Sequence, residues 1–336
     1  MFYILAFINV AMGQSETKTV TAKSGDGIYS LLRDNTIPLS YIDEFIKLNK
    51  TKLTSVNQLI IGKTYTLPLV EKDSISDLKT IKLDSTFIKL EINTEPLFGK
   101  EYSNIIIENY TLKNTVYYLI SGHGSPDPGA VTTYNSKLIA EDEYAYDVNL
   151  RLARKLIANG ATVYIIVQDK NDGIRDERIL KVDYDEVCYP NKEIPRSQKL
   201  RLRQRTKAVN QLYLKHKGSY QRLIVTHVDS RSVGKNIDVF FYHHKNSKNG
   251  KRLAEQIHTT FKQKYTKHQP NRIYSGTVSS RSGLYLIKNT LPPMIYIELG
   301  NIRNSKDQKR ILNYENRDAL ANWIHNGLLT DYHSRD

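Results

Sequence analysis

Hydrophobic residues in the second half of the chain form short runs of strand length, separated by segments of helical period. The apolar runs are Val116–Ile120, Ala161–Val167, Leu223–Thr226 and Met294–Leu299. Between the first two runs, apolar residues at helical spacing predict a helix over about Glu143–Asn159, closed by Gly160. Strands that alternate with helices in this way predict an α/β domain of three layers, a sheet with helices on both faces, over residues 114–330.

The first half of the chain has a different pattern. A short β segment begins near Lys18, two amphipathic helices begin near Ile28 and Tyr41, and a strand over Thr64–Leu67 follows. This order predicts a small βααβ unit over residues 18–69. Residues 70–113 are rich in Lys, Asp, Thr and Ile and alternate only in places, so we predict a linker with short strands.

The N-terminus carries an apolar run, Phe2–Met12, and small residues precede a polar stretch at Ala11 and Gly13. This pattern predicts a signal peptide over residues 1–13 and export to the periplasm or cell envelope. No basic residue precedes the run, so a mis-assigned start or a buried first strand is the alternative. No later segment reaches the ~20 apolar residues that a membrane span needs, so we predict no stable membrane span.

Composition narrows the choice of partner and of metal ligand. The net charge of +14 favours an anionic partner, such as nucleic acid, acidic lipid or a wall polymer. Nucleic acid is disfavoured because no helix carries a basic stripe and no familiar nucleic-acid module is present. Cys188 is the only cysteine, so a disulfide within the chain is excluded. A metal would therefore have to bind histidines and carboxylates.

Candidate chemistry lies where the predicted strands end. His123, His227 and Glu298 each end or closely follow an apolar run, and Glu141 and Glu143 stand at the start of the first predicted helix. Ligands of open parallel sheets bind outside the carboxyl ends of the strands, so these residues could converge there. Two histidines and a carboxylate with an open fourth position are typical of catalytic zinc. A further carboxylate could act as general base and acid.

The βααβ segment resembles a LysM module, a glycan-binding unit. The matching features are Ser24-Gly25-Asp26, the helix that follows it directly, Leu48-Asn49 at the end of the second helix, and Gly62-Lys63-x-Tyr65-x-Leu67-Pro68. Gly27 and Tyr29 depart from the usual Thr and Trp, and the stretch between Asn49 and Gly62 is longer than usual. An unrelated small α+β domain is the alternative. The resemblance implies that the unit binds a backbone containing N-acetylglucosamine, as in peptidoglycan or chitin.

The second half resembles the zinc N-acetylmuramoyl-L-alanine amidases of the Amidase_3 type. Five blocks match in order: ISGHGSPDPGA (Ile120–Ala130), YDVNLRLARKLIANGATVYII (Tyr146–Ile166), RTKAVN (Arg205–Asn210), LIVTHVDS (Leu223–Ser230) and a long last block over Arg281–Ile311. The resemblance implies hydrolysis of the amide between N-acetylmuramic acid and L-alanine in peptidoglycan, with Zn²⁺ as cofactor.

The resemblance also implies roles for individual residues. His123 and His227 match zinc ligands, and Glu298 matches the catalytic glutamate. Ala145 stands where the family has the middle ligand, so an upstream acid must replace it. We predict Glu143 in that role, with Glu141 as the second choice, since it lies one helical turn before Ala145.

Other interpretations remain open on sequence grounds. Ala145 would also fit a wall-binding homologue with impaired catalysis, and the same sheet could serve another zinc peptidase or deacetylase. The charged, turn-rich stretch 168–199 is either a surface loop or a wall or lid beside the substrate. Neither the stem-peptide preference, nor a regulatory partner, nor the oligomeric state follows from the sequence.

Overall fold

The structure is a computed structural model that describes residues 18–23, 28–35, 37, 41–54, 59–69, 81–83, 86–88, 91–229 and 238–335. The predicted signal peptide and the Ser24-Gly25-Asp26 motif lie outside these ranges, as do residues 70–80, 84–85 and 89–90 of the predicted linker. The chain divides into two compact units, residues 1–89 and Leu90–Asp336.

The described part of the first unit has the predicted order of strand, helix, helix and strand. Its elements are β1 (Thr19–Thr21), α1 (Ile28–Asp34), α2 (Ile42–Leu48) and β2 (Thr64–Thr66), followed by the antiparallel pair β3 (Ile81–Leu83) and β4 (Thr86–Ile88). Strands β1 and β2 pair antiparallel. Asn49 ends α2, and its buried side chain accepts from the Thr66 N–H and donates to the Phe45 carbonyl, both at 2.8 Å. Glycan binding by this unit stays a prediction.

The second unit opens with four short elements that precede the main sheet. These are β5 (Ile92–Thr94), a 3-10 helix (Pro96–Phe98), α3 (Gly99–Tyr102) and β6 (Asn104–Ile106). Phe98 and Ile105 are buried in the core of this unit. The second half of the predicted linker therefore packs as part of the α/β unit.

The rest of the second unit contains the predicted strands with helices between them, together with further short strands. In chain order it contains β7 (Thr115–Ser121), β8 (Val131–Tyr134), β9 (Lys137–Ala140), α4 (Glu141–Ala158), β10 (Thr162–Ile165), β11 (Val167–Gln168), β12 (Val187–Cys188), β13 (Lys192–Glu193), α5 (Gln198–Lys215), β14 (Tyr220–Asp229), β15 (Phe240–His243), α6 (Lys248–His268), β16 (Thr277–Ser280), α7 (Tyr285–Asn289), β17 (Met294–Asn301), α8 (Ser305–Leu312) and α9 (Tyr314–His333).

The central sheet has six strands in the order β10-β7-β14-β17-β15-β16. The predicted three-layer α/β architecture is confirmed, but the sheet is mixed, not purely parallel. Strands β10, β7, β14 and β17 are parallel, whereas β15 runs antiparallel to β17 with Phe240 opposite Glu298. The beginnings of β15 and of its parallel neighbour β16 therefore lie at the edge where β7, β14 and β17 end.

Two apolar cores flank the sheet, which explains why its strands are apolar on both faces. All seven residues of β7 are buried, and they alternate between the cores: Tyr117 and Leu119 face one, Val116 and Tyr118 the other. Residues of α4, α6, α8 and α9 form the first core, and residues of α5 and α7 form the second. Over the described ranges, no helix combines the length and the apolar character needed to cross a bilayer.

Candidate active site

Three side chains that are distant in sequence meet at the carboxyl edge of the sheet. His123, Glu141 and His227 each offer a ligand atom, and these atoms all lie within 4.8 Å of one another. His227 Nδ1 is 2.8 Å from Glu141 Oε1, and His123 Nε2 is 3.4 Å from Glu141 Oε2. The two imidazole rings are edge to face, with centroids 5.0 Å apart. The cluster can therefore hold a metal ion.

Each member of the cluster is placed by a different element. His123 lies in the turn after β7 and has a left-handed backbone, with φ of 61°. His227 lies within β14, and Glu141 is the first residue of α4. Because β7 and β14 are adjacent and parallel, their carboxyl ends bring the two histidines together.

The Glu141 carboxylate is held by the backbone as well as by the histidines. It is buried and accepts from the N–H groups of Ala130 and Val228, each at 3.0 Å. Burial raises its pKa, but the hydrogen bond with His227, the charge of His123 and the hydrogen bond from the Ala130 N–H lower it more, so the pKa lies below its usual value. Glu141 is therefore anionic at neutral pH, the form that can bind a metal.

His123 is oriented by a chain of polar contacts on its other side. Its Nδ1 lies 3.1 Å from Asp127 Oδ2, and Asp127 is paired with Arg201. Arg205 donates to the His123 carbonyl. Burial lowers the pKa of His123, but the hydrogen bond to Asp127 and the charge of Glu141 outweigh burial and raise it. A histidine fixed through its second nitrogen by a carboxylate is a recurring feature of metal ligands.

An aromatic side chain packs on the ring of His227. Its imidazole stacks on Tyr296, with centroids 4.6 Å apart and an interplanar angle of 14°. Burial lowers the pKa of His227 more than Glu141 raises it. The ring is therefore neutral near pH 7, the form that binds metal.

The predicted first choice for the third ligand was Glu143, and the structure favours Glu141. Glu143 Oε2 pairs with Arg175 at 2.8 Å, and its Oε1 accepts from the Asp183 N–H at 3.2 Å. Helix α4 begins at Glu141, two residues earlier than predicted, and this turns Glu141 toward the histidines. Tertiary contacts set the start of the helix, since the N–H groups of Glu141 and Asp142 donate to the carbonyls of Ala130 and Pro128.

Glu298 lies beside the cluster, as predicted. It is 3% exposed on β17 and stands in register with His227 on the neighbouring strand. Glu298 and the three cluster residues line one cavity of about 640 Å³, to which Arg201 and Arg303 also contribute. The site therefore combines a metal-binding set with one further carboxylate in a space large enough for substrate.

The stretch 168–199 contributes mainly to the support of the site. Of its residues, Gln198 lines the cavity. Arg175 pairs with Glu143, and its N–H donates to Asp147, both on α4. Glu186 accepts from the Ser125 N–H at 2.7 Å in the loop that carries His123. Sequence reasoning did not assign the supporting roles of Asp127 and Arg205, although both lie in blocks that match the family pattern.

The α/β unit is similar to known proteins in sequence profile and in fold. The sequence profile of the N-acetylmuramoyl-L-alanine amidases matches residues 118–330. No curated protein matches the chain. Among solved structures, the CwlD amidase from Clostridioides difficile, determined in complex with the GerS lipoprotein, is 19% identical, with a TM-score of 0.50 over 66% of this chain and 99% of that one. AmiC2 of Nostoc punctiforme is 17% identical, with a TM-score of 0.46 over 67% and 99% of the two chains.

The fold is an α/β sheet with helices on both faces, and its donor set could hold a metal ion. Because the family profile covers most of the α/β unit and well over half of the chain, the protein belongs to the N-acetylmuramoyl-L-alanine amidase family. It is an amidase that acts on peptidoglycan of the cell wall. The structural likeness to CwlD supports the fold.

Proposed function

We propose that this chain is a zinc-dependent N-acetylmuramoyl-L-alanine amidase in which His123, Glu141 and His227 hold the ion. The observation that carries the proposal is the convergence of these three side chains in the cavity that also contains Glu298. Two nitrogen donors and one carboxylate, with an open side toward substrate, fit catalytic Zn²⁺. When bound, Zn²⁺ would supply Lewis acidity and lower the pKa of water to ~7.

Glu298 is the proposed proton carrier of the reaction. It is buried, yet it faces the cavity beside His227. As a carboxylate it takes a proton from the attacking water, and as an acid it delivers that proton to the nitrogen of the leaving L-alanine. The scissile amide thereby becomes a lactyl carboxylate on the sugar and a free amine on the peptide.

The position of Glu141 also bears on the alternative that the chain is a wall-binding homologue with impaired catalysis. That alternative rests on Ala145, which stands where the family has its middle ligand. In the structure Glu141, one turn earlier on α4, lies against both histidines. Its place in the cluster supports a functional metal site and weakens the argument from Ala145.

The test is the variant Glu298→Gln, which keeps the shape of the side chain but cannot carry the proton. We expect wild-type zinc content and a loss of muropeptide hydrolysis of roughly 10²- to 10⁴-fold. The matched control is Glu255→Gln on α6, where the exposed glutamate pairs with the exposed Lys251. Mass spectrometry of the digested muropeptides identifies the bond that is cut. Substantial turnover in Glu298→Gln, or cleavage at another bond, would contradict the proposal.

We further propose that the first unit binds the glycan of the same polymer, in the cell envelope. The described βααβ order and the anchoring of Asn49 between α2 and β2 support this. Deleting residues 14–69 should reduce sedimentation with insoluble peptidoglycan and leave turnover of soluble muropeptides unchanged. Equal sedimentation of the shortened and full chains would contradict this role.

A further inference from the structure

A second cavity opens in the α/β unit, away from the metal-binding cluster. It has a volume of about 610 Å³ and lies between the carboxyl end of α6, helix α8 and the first half of α9. None of the residues that line it is acidic. It shares no lining residue with the cavity that holds Glu298. The amidase reaction therefore leaves this pocket unassigned.

Two lysines of the pocket carry positive charge that no carboxylate of the described residues pairs with. Arg272 and Arg310 line it, but both pair with the buried carboxylate of Asp238. Lys306 and Lys309 on α8 are exposed and form no salt bridge with any residue in the described ranges. Among the described residues, nothing neutralises the two ammonium groups, so they can bind an anionic group of a ligand.

The pocket also has an aromatic wall. Trp323 is half-buried on α9, with its ring edge to face against Phe261 and Tyr265. The exposed His268 ring lies nearly parallel to it, at 14° and 6.3 Å between centroids. A flat indole fixed by its neighbours suits a ring with an apolar face and polar edges, as a sugar has. A pocket with this indole and two lysines suits a sugar that carries an acid group.

The pocket lies next to the edge of the sheet where the proposed reaction takes place. Helix α8 begins four residues after β17, the strand of Glu298. Helix α6 leads into β16, whose first residue Thr277 pairs with Phe240, opposite Glu298. A glycan strand at the catalytic cavity could therefore continue along the same edge toward the pocket.

We propose that this pocket binds N-acetylmuramic acid with a free lactyl carboxylate, the sugar that the reaction leaves on the glycan. The lysines bind the carboxylate and Trp323 packs on the sugar ring. Intact substrate has an amide at that position and carries no charge there. The pocket thus holds the enzyme on strand that it has already cut. The inference rests on the proposed amidase function for the origin of the ligand, but the binding itself does not depend on catalysis.

The experiment uses the fluorescence of Trp323, the only tryptophan of the chain. The full-length protein is titrated with N-acetylmuramic acid, with N-acetylglucosamine as the sugar without a carboxylate, and with inorganic phosphate as the anion without a sugar. We expect a saturable change in emission with N-acetylmuramic acid alone. Calorimetry of the same pairs detects binding that leaves the emission unchanged.

Variants locate the site and separate the two proposals. The double variant Lys306→Gln/Lys309→Gln should bind roughly tenfold more weakly. Lys215→Gln/Lys217→Gln, two exposed lysines at the end of α5, is the matched control. Glu298→Gln should bind the sugar as the unmodified protein does, so loss of catalysis does not affect this result. An equal response to N-acetylglucosamine or to phosphate, unaltered binding in the α8 double variant, or no binding by either method overturns the inference.

Discussion

Gly122 lies directly against the imidazole of His227: a Cβ atom at position 122 would come within 2.2 Å of the His227 Cε1 atom. The Gly122 N–H also donates to the Thr226 carbonyl at 2.7 Å, which ties the two strand ends together. The His227 ring leaves no room for a side chain at position 122. This steric reason requires glycine there, whatever the backbone conformation.

The variant Gly122→Ala should disable the metal site while the fold persists. The added methyl must displace the His227 ring, and a misplacement of ~1 Å in a catalytic group can cost 10²-fold in rate. We expect loss of most bound zinc after dialysis and a loss of turnover of roughly 10²-fold. The control is Gly283→Ala, where a Cβ meets no atom within 4 Å. Full zinc occupancy in Gly122→Ala would show that His227 can move without consequence.

Glu141 and Glu143 are two residues apart on α4, and their variants should behave in opposite ways. Glu141→Gln removes a charged ligand that contacts both histidines, so we expect little zinc after dialysis and no measurable turnover. Glu143→Gln breaks the pair with Arg175, which lowers stability but leaves the three ligands in place. Metal analysis of folded protein distinguishes the two. Zinc retained by Glu141→Gln and lost by Glu143→Gln would reverse the assignment.

The contrast between Glu141 and Glu143 also shows which part of the site could not be predicted from the sequence. The apolar run before His123 and the one before His227 predicted their strands, and the parallel order of β7 and β14 then brought the histidines together. The start of α4 could not be predicted in the same way. Its first N–H groups donate to the carbonyls of Ala130 and Pro128, which lie on the far side of a hairpin in sequence. Such tertiary contacts leave no local signal, because Ala140 at the N-cap makes no side-chain cap.

The direction of β15 was unpredictable for a related reason. The apolar sequence pattern of a strand beside a parallel sheet is the same whether the strand runs parallel or antiparallel to its neighbour. The direction shows only in the hydrogen bonds between the two strands. In the structure β15 pairs antiparallel with β17 and closes the site edge beside Glu298. The sequence therefore predicted the layers, the four parallel strands and the residue types that meet at the site. It predicted neither the mixed sheet nor that Glu141, and not Glu143, contacts both histidines.

Asp127 should control metal affinity without touching the metal. Its carboxylate holds His123 Nδ1 at 3.1 Å and accepts from the Gly129 N–H. In Asp127→Asn the amide oxygen can keep the Gly129 contact, but the –NH₂ group would face the His123 donor and Arg201. We expect zinc to bind roughly 10- to 100-fold more weakly, the usual effect of removing such a partner. Competition with a chelator measures this. Asp318→Asn, at an exposed pair with Lys155, is the control, and equal affinities would contradict the role.

His325 should make the stability of the protein depend on pH. It is buried on α9, its Nε2 has no hydrogen-bond partner within the described structure, and burial together with the charge of Lys155 lowers its pKa to about 4. In the unfolded chain the pKa is ~6.5. Between these pH values the unfolded chain binds a proton at His325 that the folded protein does not bind. The contribution of His325 to the free energy of unfolding is therefore fully present above pH ~6.5 and is lost as the pH falls toward 4.

The variant His325→Leu should abolish the loss of stability at acid pH that protonation of His325 causes. The difference in pKa corresponds to at most about 3 kcal/mol between pH 7 and pH 4. Urea unfolding of metal-free protein at several pH values measures the effect, and the quantity of interest is the difference between the variant and the parent protein at each pH. His333→Leu, at the exposed end of α9, provides the comparison. Parallel stability curves for His325→Leu and the parent would mean that His325 accepts its proton in the folded state as readily as in the unfolded one.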